Sequence, residues 1–182
     1  TRARPKETGF RRTECEHMRE FVFTITYEEG ADALMDLLMA TPEARSTAML
    51  CSMADDELWR LDRVTGPVET VETARELLTG EYVGLSVSDR ECEQTGHSDV
   101  LEATARNCVV YTHFAGIRRC DAVSLIASRY LSGGVLFEVT RRGDTERWRI
   151  LMQNDEKVGM VHDTLAAQLR DGLTFGFERL ED

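Results

Sequence analysis

From Arg19 onward the spacing of apolar residues switches between strand and helix periods in a fixed order, and that order occurs twice. Phe21, Phe23, Ile25 and Tyr27 alternate with smaller or polar residues, the pattern of a half-buried strand. After Glu29-Gly30, the set Ala31, Leu34, Met35, Leu38 steps along one face of a helix that Pro42 closes. Two strands follow, Ser46 to Met53 and Leu58 to Val64, around a turn at Ala54-Asp55-Asp56-Glu57. Gly66-Pro67 opens a second helix, with proline where its missing N–H costs nothing. Val68, Val71, Ala74 and Leu78 line its inner face, and Gly80 ends it. Val83, Leu85 and Val87 then alternate as a closing strand.

The second half repeats the order. Cys108 to Phe114 reads as a strand, and Val123, Ile126, Ala127 and Tyr130 as a helix face. Val135 to Thr140 and Arg147 to Met152 form a hairpin around Arg142-Gly143-Asp144. Val158, Val161, Leu165 and Leu169 mark a fourth helix stopped by Gly172, and Leu173, Phe175 and Phe177 alternate after it. Trp59 and Trp148 fall at matching points of the third strand of each half. The expected fold class is therefore α+β, a tandem duplication of a βαββαβ ferredoxin-like unit with mainly antiparallel sheets. The expected organisation is a disordered leader over 1–17, with Met18 as a candidate start, a first unit over 18–88, a linker over 89–106 and a second unit over 107–182. Each unit leaves one sheet face bare, so the two are expected to join edge to edge or face to face.

Charge narrows the partners. Acidic residues outnumber basic ones 33 to 22, and five of the basic ones lie in the first twelve positions. Without that stretch and its single acid, 17 basic residues face 32 acidic ones. Such a body repels phosphates, so a contact with DNA is expected only through a segment this chain does not contain. The basic residues are 20 Arg and 2 Lys. Acidic excess with little lysine fits an acidic, halophilic protein whose carboxylates hold a hydrated surface in strong salt. No signal peptide and no apolar run of membrane length is visible, which predicts a cytoplasmic protein with no membrane contact. Its five cysteines are then expected to be reduced.

The linker carries the candidate chemistry. Cys92 and His97, followed by Cys108 and His113 on the next strand, repeat a Cys-x4-His spacing, and these four could close a tetrahedral zinc site. Against this, Cys108 and His113 differ by an odd number along a strand and point to opposite faces. Cys92, His97 and Cys120 are the candidate ligand-contacting or redox-sensing residues; Cys120 sits at a helix start, where the dipole favours a thiolate. Cys51 reads as a buried inert thiol. No Gly-rich phosphate loop, no nucleophile elbow and no isolated carboxylate pair appears, so no catalytic residue and no enzyme activity is expected. No cofactor is indicated apart from zinc as the minority reading.

Several strings resemble a known group: Met18-Arg19-Glu20-Phe21 through Phe23-Thr24-Ile25-Thr26-Tyr27-Glu28 to Gly30-Ala31-Asp32, Leu58-Trp59-Arg60-Leu61-Asp62-Arg63-Val64-Thr65-Gly66-Pro67, and Leu136-Phe137-Glu138. Arg141-Arg142-Gly143-Asp144, Trp148-Arg149 and Leu169-Arg170-Asp171-Gly172-Leu173 add to them. Together they are similar to haloarchaeal regulators of the bacterio-opsin activator type. The resemblance implies a sensor or effector region preceding a C-terminal helix-turn-helix, which is not present in this chain. It also implies a linker with several Cys and His residues. Here only Cys92 and His97 precede the Cys108 strand, and Asp121 stands where the group carries a His after Cys120. The expected function is a sensor/effector and dimerisation domain of a transcription regulator, a homodimer responding to a small ligand or a redox or metal signal. The alternative is a stand-alone small-molecule-binding protein with a pocket between the two units.

Overall fold

Alternation along the first strand produces the predicted local structure. Phe21, Phe23, Ile25 and Tyr27 are buried on one side of β1 (Arg19–Tyr27). The computed structural model describes residues 18–54, 56–82, 84–131, 134–153 and 157–181; the predicted leader over 1–17 lies outside them. The chain continues through α1 (Ala33–Ala40), β2 (Arg45–Ala54), β3 (Glu57–Thr65), α2 (Val68–Thr79), β4 (Glu93–Thr104) and β5 (Asn107–Arg118). It ends with α3 (Val123–Tyr130), β6 (Leu136–Arg142), β7 (Thr145–Met152), α4 (Val158–Gln168) and β8 (Leu173–Glu181). The Asp32 carboxylate caps α1 by accepting from the Leu34 and Met35 amides at 3.0 Å.

The eight strands form one open antiparallel sheet in the order β4-β5-β3-β2-β6-β7-β1-β8. The strands thus make the single eight-stranded sheet of the edge-to-edge alternative, with β2 paired to β6 at its middle, but they do not divide into two ferredoxin-like units. Leu34, Leu38, Ala74, Leu78, Ile126 and Leu165 of the helices join the inward residues of the strands in one core. The opposite sheet face bears Met49, Trp59, Leu61 and Leu136, each more than a third exposed.

Four expectations change. Gly84 to Val87 form no closing strand; Ser86 makes one isolated bridge to Ala122. The linker instead contains β4, twelve residues long and largely exposed, which pairs with β5 as an edge hairpin. Exposure on both faces removed the alternation that would have revealed it. Next, β1 does not stay with the first half: it lies between β7 and β8, so the chain's first strand sits inside the sheet of its last ones. Finally, Trp148 faces the core at 5% exposure while Trp59 lies 40% exposed on the open face. The tryptophans stand one residue out of step relative to their hairpin turns, and a shift of one flips a strand residue to the other face.

Candidate functional site

At the middle of the sheet the inward face turns from apolar to charged. Core-facing positions of β3 hold Arg60 and Asp62, 2% and 1% exposed, and those of β6 and β7 hold Arg141 and Glu146, 6% and 5% exposed. Charges so placed persist only when paired. Here Arg60 Nε donates to Asp62 Oδ2 at 2.6 Å, and Arg141 donates to Asp62 Oδ1 at 3.3 Å and to Glu146 Oε1 at 2.7 Å. Arg141 also donates to the Ser46 hydroxyl at 3.3 Å. The second oxygen of Glu146 accepts from the Tyr27 hydroxyl and from the Trp148 indole N–H, both at 2.9 Å. Among the described residues, Arg60 and Arg141 thus meet Asp62 and Glu146, and both halves of the chain contribute.

The network fixes its own protonation. Burial opposes the charge on Arg141, but the Glu146 and Asp62 carboxylates outweigh it and raise the guanidinium pKa further. Burial, reinforced by Glu146, raises the Tyr27 phenol well above its ordinary value. Tyr82 is raised likewise by burial and by Asp32, whose carboxylate oxygens accept its hydroxyl at 2.9 and 3.1 Å.

Beside this network lies a cavity of about 20 Å³, room for one water, lined by Arg60, Arg141, Glu146, Ser86 and Ser124 among others. Ser124 on α3 is fully buried, and its hydroxyl has no hydrogen-bond partner among the described residues. A buried hydroxyl without a partner costs about 1–3 kcal/mol unless something occupies the space beside it. Outside is a cleft of about 650 Å³, lined by Asp32, Tyr82, Asp89, Arg90, Cys92 and Arg170. Gly84, Leu85 and Ser86 line both spaces, so one segment forms the wall between them. We refer to residues 84–92 as the strap.

The strap is fastened mainly at the segment leading into α3. Val87 donates its N–H to the Asp121 carbonyl at 3.0 Å, and the Ser88 hydroxyl donates to the Asp121 carboxylate at 2.8 Å. The Arg170 amide donates to Val87 O at 2.9 Å. Cys92 and Cys120 complete the fastening as a disulfide, with Cα atoms 4.4 Å apart. The expectation of reduced thiols is therefore overturned for this pair. Glu93 faces Arg118 at the end of the β4–β5 hairpin, and Arg119, at φ 53°, turns the chain between that pair and Cys120.

The other predicted residues separate. His97 and His113 face each other across β4 and β5 on the open side of the sheet. His97 Nε2 lies 3.1 Å from Asp99 Oδ2, and the His113 ring packs 4.8 Å from Trp59. Cys108 points the other way, buried, with its thiol toward Val71 O and its pKa raised by burial. The four proposed zinc ligands Cys92, His97, Cys108 and His113 are thus not brought together: one is in a disulfide, and strand parity divides the rest. Among the described residues no group of three or more potential ligands stands together. Cys51, read as buried, is exposed on the open face opposite Trp59.

Arg60, Asp62, Arg141 and Glu146 were not singled out from the sequence. Their signal is present, since Arg141 and Glu146 continue the buried parity of Phe137-Val139 and of Trp148-Ile150. Among the described residues no helix is long and apolar enough to cross a membrane. A family model described as HVO_2928_N, N-terminal, matches residues 20–182. No curated protein matches the chain.

Proposed function

The chain belongs to this haloarchaeal domain family, and we propose that it is a non-enzymatic receptor domain of a cytoplasmic transcription regulator, taking a small polar ligand in the cleft of about 650 Å³ outside the strap, with one polar group of the ligand reaching the small cavity beneath it. The observation that carries this reading is the fully buried Ser124 hydroxyl, unpartnered among the described residues, facing a cavity between two ion pairs. Polar groups converging on a cavity near the junction of two half-sheets suit recognition of a ligand. The carboxylates there are already engaged: Asp62 by two arginines, Glu146 by three donors, and Asp32 by Tyr82 and two backbone amides. That favours binding over proton transfer, which needs a carboxylate free to exchange its proton.

A family description confined to an N-terminal region supports a further segment in its members, and the regulator reading assigns DNA contact to that segment. The net charge of −11 favours this division of labour. The ligand, by binding one arrangement of strap and helices better than another, would shift their populations and pass the change to a homodimer. The test is a thermal-shift screen of the protein in multimolar KCl against amino acids and other small polar metabolites without phosphate. A stabilising compound should lose its effect in Ser124→Val, which fills the cavity and leaves the ion pairs in place. A screen in which every shift survives Ser124→Val would end the interior-site reading. Deletion of the gene with no change in any transcript would end the regulatory one.

A further inference from the structure

The strap that lines both the interior cavity and the outer cleft ends at the Cys92–Cys120 disulfide, and nothing in the proposed receptor role requires that disulfide. Leu85 and Val87 are buried, and Gly84, Leu85 and Ser86 separate the cavity from the cleft. Besides the packing of Leu85 and Val87, the strap's polar ties among the described residues are the Ser86–Ala122 bridge, two hydrogen bonds to Asp121, one from the Arg170 amide, and an Arg90 contact to Asp121 at 3.6 Å. Four of these five end on Asp121 or Ala122, the two residues that follow Cys120. One covalent bond therefore holds the strap and its anchor segment as a unit.

We propose that the Cys92–Cys120 disulfide is a redox latch: oxidised, it holds the strap shut over the buried centre, and reduced, it frees the strap so that the cleft and cavity join. The proposal rests on the receptor reading for its purpose, though not for its test. The two sulfurs differ in access. Cys92 is half-buried and lines the cleft, whereas Cys120 is 3% exposed. A dithiol reductant would act first at Cys92. Its thiolate attacks Cys92 Sγ, the Sγ–Sγ bond breaks, and Cys120 leaves as a thiolate that takes up a proton. The reductant's second thiol then attacks the mixed disulfide, releasing Cys92 as a thiol and leaving the reductant oxidised. Two electrons and two protons pass to the protein in all. The guanidinium groups of Arg90 and Arg129, each within 3.6 Å of the Asp121 carboxylate, place positive charge beside the segment that receives the leaving thiolate.

The experiment is amide hydrogen exchange on the full chain in multimolar KCl. It compares the oxidised protein, the protein reduced with a phosphine, and Cys92→Ser. Peptide mass mapping of the alkylated oxidised protein comes first and should recover Cys92 linked to Cys120; recovery of both as free thiols overturns the proposal. Exchange over 84–92 should then rise roughly tenfold or more on reduction and in Cys92→Ser, since removing a cross-link widens the open ensemble. Exchange in β1, β6 and β7 should stay unchanged, and reoxidation should restore the slow rates. Equal exchange over 84–92 in both redox states refutes the latch, as does acceleration across the whole sheet, which would make the disulfide a general staple. Neither result touches the receptor reading, because no ligand is present. A latch confirmed with no ligand found in the thermal-shift screen would leave the redox device standing alone.

Discussion

Replacing Glu146 by Gln tests the ion-pair network of the centre directly. The side chain keeps its shape but loses its charge, and its amide group turns a donor toward the Arg141, Tyr27 or Trp148 donors that the carboxylate now accepts. Of the two carboxylates that now meet Arg141, only Asp62 then keeps its charge, so the guanidinium loses its shorter ion pair. Removing one partner of a buried ion pair costs about 3–5 kcal/mol. In a domain of this size each kcal/mol lowers Tm by about 2–4 °C, so a fall of about 6–20 °C is expected. The control is Glu178→Gln on the Arg147–Glu178 pair, whose side chains are 37% and 34% exposed. That change should cost about 0.2–1 kcal/mol. The double variant Arg141→Met/Glu146→Gln removes cation and anion together and leaves Arg60 with Asp62. It should recover roughly 2 kcal/mol relative to Glu146→Gln, because the guanidinium that lost its carboxylate is removed with it. Urea unfolding in multimolar KCl at neutral pH reads all three. If Glu146→Gln costs no more than Glu178→Gln, or the double variant loses the sum of its singles, the ion-pair account is wrong.

Two further outcomes follow from the interior. Tyr27 and Tyr82 both have raised pKa values in the fold, chiefly through burial, so above the ordinary tyrosine value of about 10 the unfolded chain releases protons that the folded one retains. Their stabilising share is complete below that value and is lost as pH rises beyond it; unfolding by urea from pH 7 to 11 should show the decline, and it should be shallower in Tyr27→Phe/Tyr82→Phe. Iodoacetamide at pH 8 should alkylate the exposed Cys51 in the native protein and leave the buried, pKa-raised Cys108 unmodified until denaturant is added; mass spectrometry of the two peptides would refute this if Cys108 labelled at the rate of Cys51.

Legibility in the sequence followed burial. β1 was readable because Phe21, Phe23, Ile25 and Tyr27 point one way into a core, and both central hairpins were readable from their turns. β4 was not, because an edge strand with little buried surface carries no alternation. The buried centre was partly readable: Arg141 and Glu146 keep the parity of their apolar neighbours. In β3, however, Trp59 and Leu61 offered a competing apolar face against Arg60 and Asp62, and tertiary pairing decided between them. The disulfide depended on a hairpin that the sequence did not reveal, so the meeting of Cys92 with Cys120 could not be read from spacing.

The position of β1 between β7 and β8 governs how the molecule is assembled. Phe23 has Trp148 on one side and Phe177 on the other, so β1 finds its neighbours only when segments more than a hundred residues further along the chain have emerged. Such distant pairing raises contact order and slows folding. Because β1 pairs with β7 and β8 and β2 with β6, gradual loss of one end of the chain while the other survives is disfavoured. The fold should therefore be gained and lost in a single cooperative step.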